Sequence, residues 1–169
     1  MKKLLLSLFV IASGISFSQN WNPIGNPTGI TNATEVDIEI SANGELFMAY
    51  IDSDNSNKLS VRRWNRATAS WTLVGSAGIS GANAFDLELI MKGENPVVGA
   101  KVIGTIAGNP YEFIEVYSFN GTIWNPLGVG TYFHTYHSKD FALSCNAQQD
   151  LFVTYYNLET QTYPEGLIT

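Results

Sequence analysis

The sequence predicts an all-β fold assembled from repeated, antiparallel four-stranded units. Three observations carry that expectation. The stretch Trp71-Thr72-Leu73-Val74-Gly75 has two relatives, Trp21-Asn22-Pro23-Ile24-Gly25 and Trp124-Asn125-Pro126-Leu127-Gly128, so that Trp71 follows Trp21 by 50 residues and Trp124 follows Trp71 by 53. A self-similarity of this period marks a repeat architecture. Between these landmarks lie short runs with apolar residues at every second position, as half-buried strands require. No stretch of useful length has a helical period, and glycine and proline are scattered throughout.

The chain opens with Lys2 and Lys3, continues through an apolar run from Leu4 to Phe17 and reaches Ser16-Phe17-Ser18 before Gln19. This is the layout of a secretory signal peptide with cleavage after Ser18, and the run is short for a membrane span. Residues 1–18 are therefore set apart from the fold, and the mature chain is expected to be secreted or displayed at the cell surface without membrane insertion. No cysteine stands near the cleavage point to take a lipid.

Four strands are expected per repeat. The first is Val36 to Ile40, then Phe85 to Leu89, then Asp140 to Cys145. Aligning the repeats on their aspartates places Asp37, Asp86 and Asp140 at equivalent positions. After a turn containing Asn43-Gly44, Gly93-Glu94-Asn95 or Asn146-Ala147-Gln148 comes a more continuously apolar strand, Glu45 to Ile51, Pro96 to Ile103 and Asp150 to Tyr156. Such runs suit a strand covered on both faces. The third strand is Leu59 to Trp64 or Glu112 to Phe119, followed by Asn65 or by the turn Asn120-Gly121. The Trp-to-Gly stretch is the fourth, its tryptophan filling space between neighbouring sheets.

Four antiparallel strands in about 50 residues is the plan of a β-propeller blade in the kelch length range. The expected organisation is an orphan outer strand at 21–25, a blade at 36–75, a second at 85–128 and a partial third at 140–169. The runs Phe47-Met48-Ala49-Tyr50-Ile51-Asp52, Ser60-Val61-Arg62-Arg63-Trp64-Asn65 and Trp71-Thr72-Leu73-Val74-Gly75 resemble the repeat of secreted bacterial β-propeller proteins common in the Bacteroidetes lineage. The resemblance implies blades rather than a reaction. Such proteins often end in a type IX secretion sorting domain, which is not visible here. A ring needs about four to eight blades, so an incomplete propeller of two to three blades is expected to belong to a longer reading frame or to assemble from several copies. The orphan strand suggests a ring closed by its own N-terminus.

Removing Lys2 and Lys3 leaves seven basic residues against fifteen acidic ones, a formal charge of −8. Such a surface repels nucleic acid and anionic lipid, and Arg62, Arg63 and Arg66 form no long stripe that could track phosphates. Cys145 is the only cysteine, so no internal disulfide exists. Its alternation with Phe141 and Leu143 predicts a small core residue rather than a nucleophile.

Three groups of residues are candidates for function. Asp37 with Glu39, and Asp86 with Glu88, pair carboxylates on one face of each first strand, and Asp140 follows in the third. In a propeller these strands line the axis, where a ring of carboxylates could hold a cation or polar ligand; alternatively the repeated acid accepts backbone N–H groups from a neighbouring turn. Asp52, Asp54 and Ser56 resemble the opening of a calcium loop, but Asn57 and Arg63 stand where an EF-hand has glycine and glutamate, and a solvated hairpin is the alternative. The loop from Thr131 to Lys139 carries Tyr132, Phe133, His134, Tyr136 and His137, whose rings could stack on sugar faces or fold back on the blade. No serine-hydrolase elbow, phosphate loop or cofactor motif is present. The expected function is a non-catalytic binding module for a glycan or surface protein. The alternatives are a polysaccharide hydrolase or lyase using axial carboxylates, and a purely structural surface module.

Overall fold

A computed structural model of the chain describes residues 23–25, 30–128 and 138–157. The signal-peptide segment and the aromatic loop, Tyr132, Phe133, His134, Tyr136 and His137 included, lie outside the described residues, as do Trp21, Asn22 and everything after Asn157.

The described chain is all-β, with a single 3-10 turn at Ser53–Asn55. Strands β1 (Ala33–Ile40), β2 (Leu46–Asp52), β3 (Lys58–Asn65) and β4 (Ser70–Leu73) form one four-stranded sheet in sequence order. A second is formed likewise by β5 (Ala84–Lys92), β6 (Asn95–Ile106), β7 (Asn109–Phe119) and β8 (Trp124–Leu127). A third contains β9 (Ser138–Cys145) and β10 (Leu151–Asn157). All neighbours are antiparallel. The first strands of successive sheets, β1, β5 and β9, lie beside one another. The described residues form an incomplete propeller, two full blades and part of a third.

Turn chemistry explains the hairpins. Asn65 Oδ1 accepts the amides of Ala67 and Thr68 at 3.0 and 3.3 Å, and Asn120 Oδ1 accepts those of Thr122 and Ile123 at 3.0 and 2.9 Å. Each asparagine side chain thus imitates a turn of backbone and closes the third-to-fourth-strand hairpin of its blade.

The main core lies between the first two blades. Phe47, Ala49, Ile51, Leu59, Val61 and Val74 from one meet Leu89, Val98, Ala100, Val102, Phe113 and Tyr117 from the other. A smaller core joins Val97, Ile114 and Val116 to Leu143 and Val153 of the third sheet. Beside it, between Leu127 and Val153, an apolar cleft of about 230 Å³ remains open. Trp124 fills space between the first two blades, and its Nε1 donates to Val74 O at 2.8 Å.

The first two Trp-to-Gly stretches end against the aromatic pair of the next blade. Gly75 has φ +68°, and a β-carbon there would stand 3.0 Å from the Trp124 ring and 3.1 Å from Phe119. Gly25 repeats this one blade earlier: φ is +51°, and a β-carbon would stand 2.6 Å from the ring of Trp64, which packs against Trp71 with centroids 5.5 Å apart. Both positions demand glycine, for backbone conformation and for space.

Two expectations about burial need correction. Cys145 is half-buried rather than part of a core, its thiol pointing to Asn146 O at 3.6 Å. On β1 the apolar residues are the exposed ones: Val36, Ile38 and Ile40 are 55, 52 and 63% accessible. Their cross-strand partners are Tyr50, Met48 and Leu46, which place them on the face turned away from the second blade.

Candidate functional site

The register of the first strands sets the geometry of the acidic residues. In β1, Thr34 pairs with Ile51 and Val36 with Tyr50, leaving Glu35 as a bulge at φ +51°. In β5, Phe85 pairs with Lys101 and Leu87 with Ala100, leaving Asp86 as a bulge at φ +48°. Glu35 is therefore the structural counterpart of Asp86, and Asp37 that of Glu88. In β9 the register shifts between Ser138 and Phe141, while Leu143 pairs with Val153 as Leu89 pairs with Val98. This sets Asp140 beside Asp86 in the scheme and Ala142 in the place of Glu88. The alignment on aspartates is thus two residues out between the first two blades.

The two classes of acid do different things. Asp37 Oδ2 accepts the backbone amide of Leu89 at 2.8 Å, and Glu88 Oε2 accepts that of Leu143 at 2.6 Å. Each carboxylate ties its own first strand to the first strand of the next blade. The donor is a strand amide, not the turn amide anticipated from sequence. Asp37 Oδ1 also accepts Ile38 N at 2.8 Å. Charge-assisted bonds of this kind are about twice as strong as neutral ones.

The bulge residues face the open side of the strands, although Glu35 also reaches the next blade. A bulge re-aims its side chain out of the ladder, and Glu35, Asp86 and Asp140, with Glu88, Val36, Leu87 and Phe141, line an open cleft of about 650 Å³ along the row of first strands. Asp86 forms an ion pair with Lys101, a buried lysine whose ammonium also lies 5.0 Å from the centroid of the Phe85 ring. Glu35 Oε2 accepts Leu87 N at 3.3 Å. Glu39 is half-buried, and its carboxylate accepts the adjacent Ile40 N at 3.3 Å. Burial raises the pKa of Glu88, the Leu143 amide offsets part of that effect, and the charge of Asp37 adds to the rise.

Asp52, Asp54 and Ser56 do not converge. Asp52 is buried and caps the 3-10 turn, accepting from Asp54 N at 3.2 Å, Asn55 Nδ2 at 2.8 Å and Ser60 Oγ at 2.9 Å. Asp54 turns to Thr31, whose backbone amide and hydroxyl both donate to it, and these bonds lower its pKa. Ser56 adopts the left-handed conformation at the end of the turn. Among the described residues no three His, Cys, Asp or Glu side chains group so as to hold a metal ion. Arg62 binds Tyr50 OH and Trp71 O, Arg63 pairs with Glu45 at 3.5 Å and Arg66 donates to Gly44 O.

Two buried ionisable residues escaped the sequence reading. Lys101 is one. Glu115 is the other, 1% exposed, accepting Gly81 N at 2.9 Å and Tyr117 OH at 2.8 Å, so that it pins the segment crossing from the first blade to the second. Each interrupts a local apolar run, Ala100-Lys101-Val102 and Ile114-Glu115-Val116, which was the available signal.

No family model matches the chain, and no curated protein matches it. Among solved structures the chain is similar to an endo-arabinase from Bacteroides thetaiotaomicron VPI-5482, with 11% identity and a TM-score of 0.48 over 87% of this chain. The chain spans 59% of the length of that protein.

Proposed function

We propose that the chain forms part of a secreted or cell-surface propeller that binds a glycan or a surface protein, without catalysing a reaction. The observation that supports this reading is the open cleft in which three successive sheets each present a carboxylate at the same structural position, Glu35, Asp86 and Asp140. Acceptors repeated along one wall suit the hydroxyl groups of a sugar chain, and Phe141 and the apolar stems beside them suit its C–H faces. The aromatic residues Tyr132, Phe133 and Tyr136 are proposed as a second contact.

Glycan-array binding tests the proposal. Asp86→Asn with Asp140→Asn is expected to lower binding about tenfold or more. Tyr132→Ala, Phe133→Ala and Tyr136→Ala together should lower it independently. Binding unchanged in both sets removes the cleft and the loop from the account.

One observation favours a second reading, that of a polysaccharide hydrolase or lyase. The raised pKa of Glu88, at the edge of the same cleft, is the property that suits a carboxyl to proton donation. Turnover of a polysaccharide abolished by Glu88→Gln or Glu39→Gln would support this version, and no turnover across a polysaccharide panel would exclude it in favour of binding alone.

A further inference from the structure

We propose that the exposed face of β1 is an inter-blade interface whose occupant is another blade of this same repeat, carrying Asp or Glu at the position held by Asp37 and Glu88. The structure contains this interface twice already. Where the first blade covers the second, Leu87, Leu89 and Met91 of β5 pack in the shared core and Asp37 accepts Leu89 N. Where the second covers the third, Leu143 is buried and Glu88 accepts its amide. Val36, Ile38 and Ile40 are the counterparts of Leu87, Leu89 and Met91 by strand register, yet more than half of each is exposed.

One element of the covering unit is already in place. Gly25 sits against Trp64 as Gly75 sits against Phe119 and Trp124, so residues 23–25 occupy the position at which a preceding blade's fourth strand would end. What the face lacks is the inner strands of that blade, and the ladder specifies their chemistry: a carboxylate reaching Ile38 N, which here donates to the adjacent Asp37 Oδ1 at 2.8 Å. Among the described residues, the outer side of the third sheet does not meet that requirement. There the ladder position is Ala142, exposed and without an acceptor, so head-to-tail stacking of two copies through β9 lacks the bond that the two existing interfaces share.

That difference makes the rule testable with the chain itself. A donor copy carrying Ile38→Asp and Ala142→Glu has its own β1 face blocked and the missing carboxylate restored. Mixed with the wild-type chain, it should form a 1:1 complex by sedimentation velocity and native mass spectrometry. Its affinity should be about tenfold above that of a donor carrying Ile38→Asp alone. Both positions are exposed, and circular dichroism and thermal melting of each chain verify folding. An acceptor carrying Val36→Asp should lose the complex independently. Equal binding by the two donors overturns the carboxylate requirement, and absence of a complex or an undiminished complex with the Val36→Asp acceptor overturns the interface.

Discussion

Ile38 and Leu89 occupy the same position in the same strand of successive blades, and they live in opposite environments. Leu89 is 1% exposed, with the first blade packed over it and Asp37 holding its amide. Ile38 is 52% exposed, on the face of β1 turned away from the second blade. The strands differ little in pattern, so burial here belongs to the neighbour and not to the strand. A propeller blade is a half-interface on each side, and only stacking completes it.

Truncation at the two positions should give the largest difference. Leu89→Ala should cost about 2–5 kcal/mol in a urea unfolding experiment, as core truncations do, while Ile38→Ala should stay within about 0.5 kcal/mol. Similar losses at both would mean that β1 is covered in solution. Next come the glycines. Gly75→Ala should cost about 1–3 kcal/mol, since the added carbon meets the Trp124 and Phe119 rings. Gly121→Ala, which meets nothing within 4 Å at φ +96°, should cost only the backbone strain.

The acids of the first strands differ in the same way. Asp37→Ala leaves Leu89 N without its partner and should cost about 1–3 kcal/mol, against a change near zero for Glu39→Ala, whose carboxylate bonds only the adjacent amide among the described contacts. Glu88 supplies a pH signature. Its folded pKa lies above the ordinary 4.5, so the folded protein holds this proton more tightly than the unfolded chain does. The wild type should therefore lose stability relative to Glu88→Gln as pH rises from 4.5 through the raised value. Asp54 has the opposite sign and the smallest effect. Its pKa is lowered below 3.8 by Thr31, so its contribution is present above pH 3.8 and lost as pH falls through the folded value. Asp54→Asn should shift the melting temperature only slightly, the site being exposed.

Much of the fold was legible in the sequence for a physical reason. Period-two alternation and turn residues are local signals, and β2, β6 and β10 fall within a few residues of the expected runs. The Trp-to-Gly frame was legible because a bulky and a minimal residue meet where one blade follows another, as Trp124 meets Gly75 and Trp64 meets Gly25. The acids were harder. A strand pattern of period two is unchanged by a slip of two residues, so alternation could not tell whether Asp37 matches Asp86 or Glu88. The deciding feature is the bulge at Glu35 and Asp86, where backbone pairing rather than side-chain type sets the count. Glu115 and Lys101 were hidden because their partners, Gly81 and Asp86, come together only in three dimensions.

Asp37 and Glu88 each hold one amide of the next blade's first strand, Leu89 N and Leu143 N, and amide hydrogen exchange read by NMR follows those two amides individually. In the wild type the amides of Leu89 and Leu143 should exchange slowly and that of Ile38 faster. Asp37→Ala should accelerate Leu89 and leave Leu143 protected, and Glu88→Ala should do the reverse. Acceleration of both amides by either change, or of neither, would contradict the ladder.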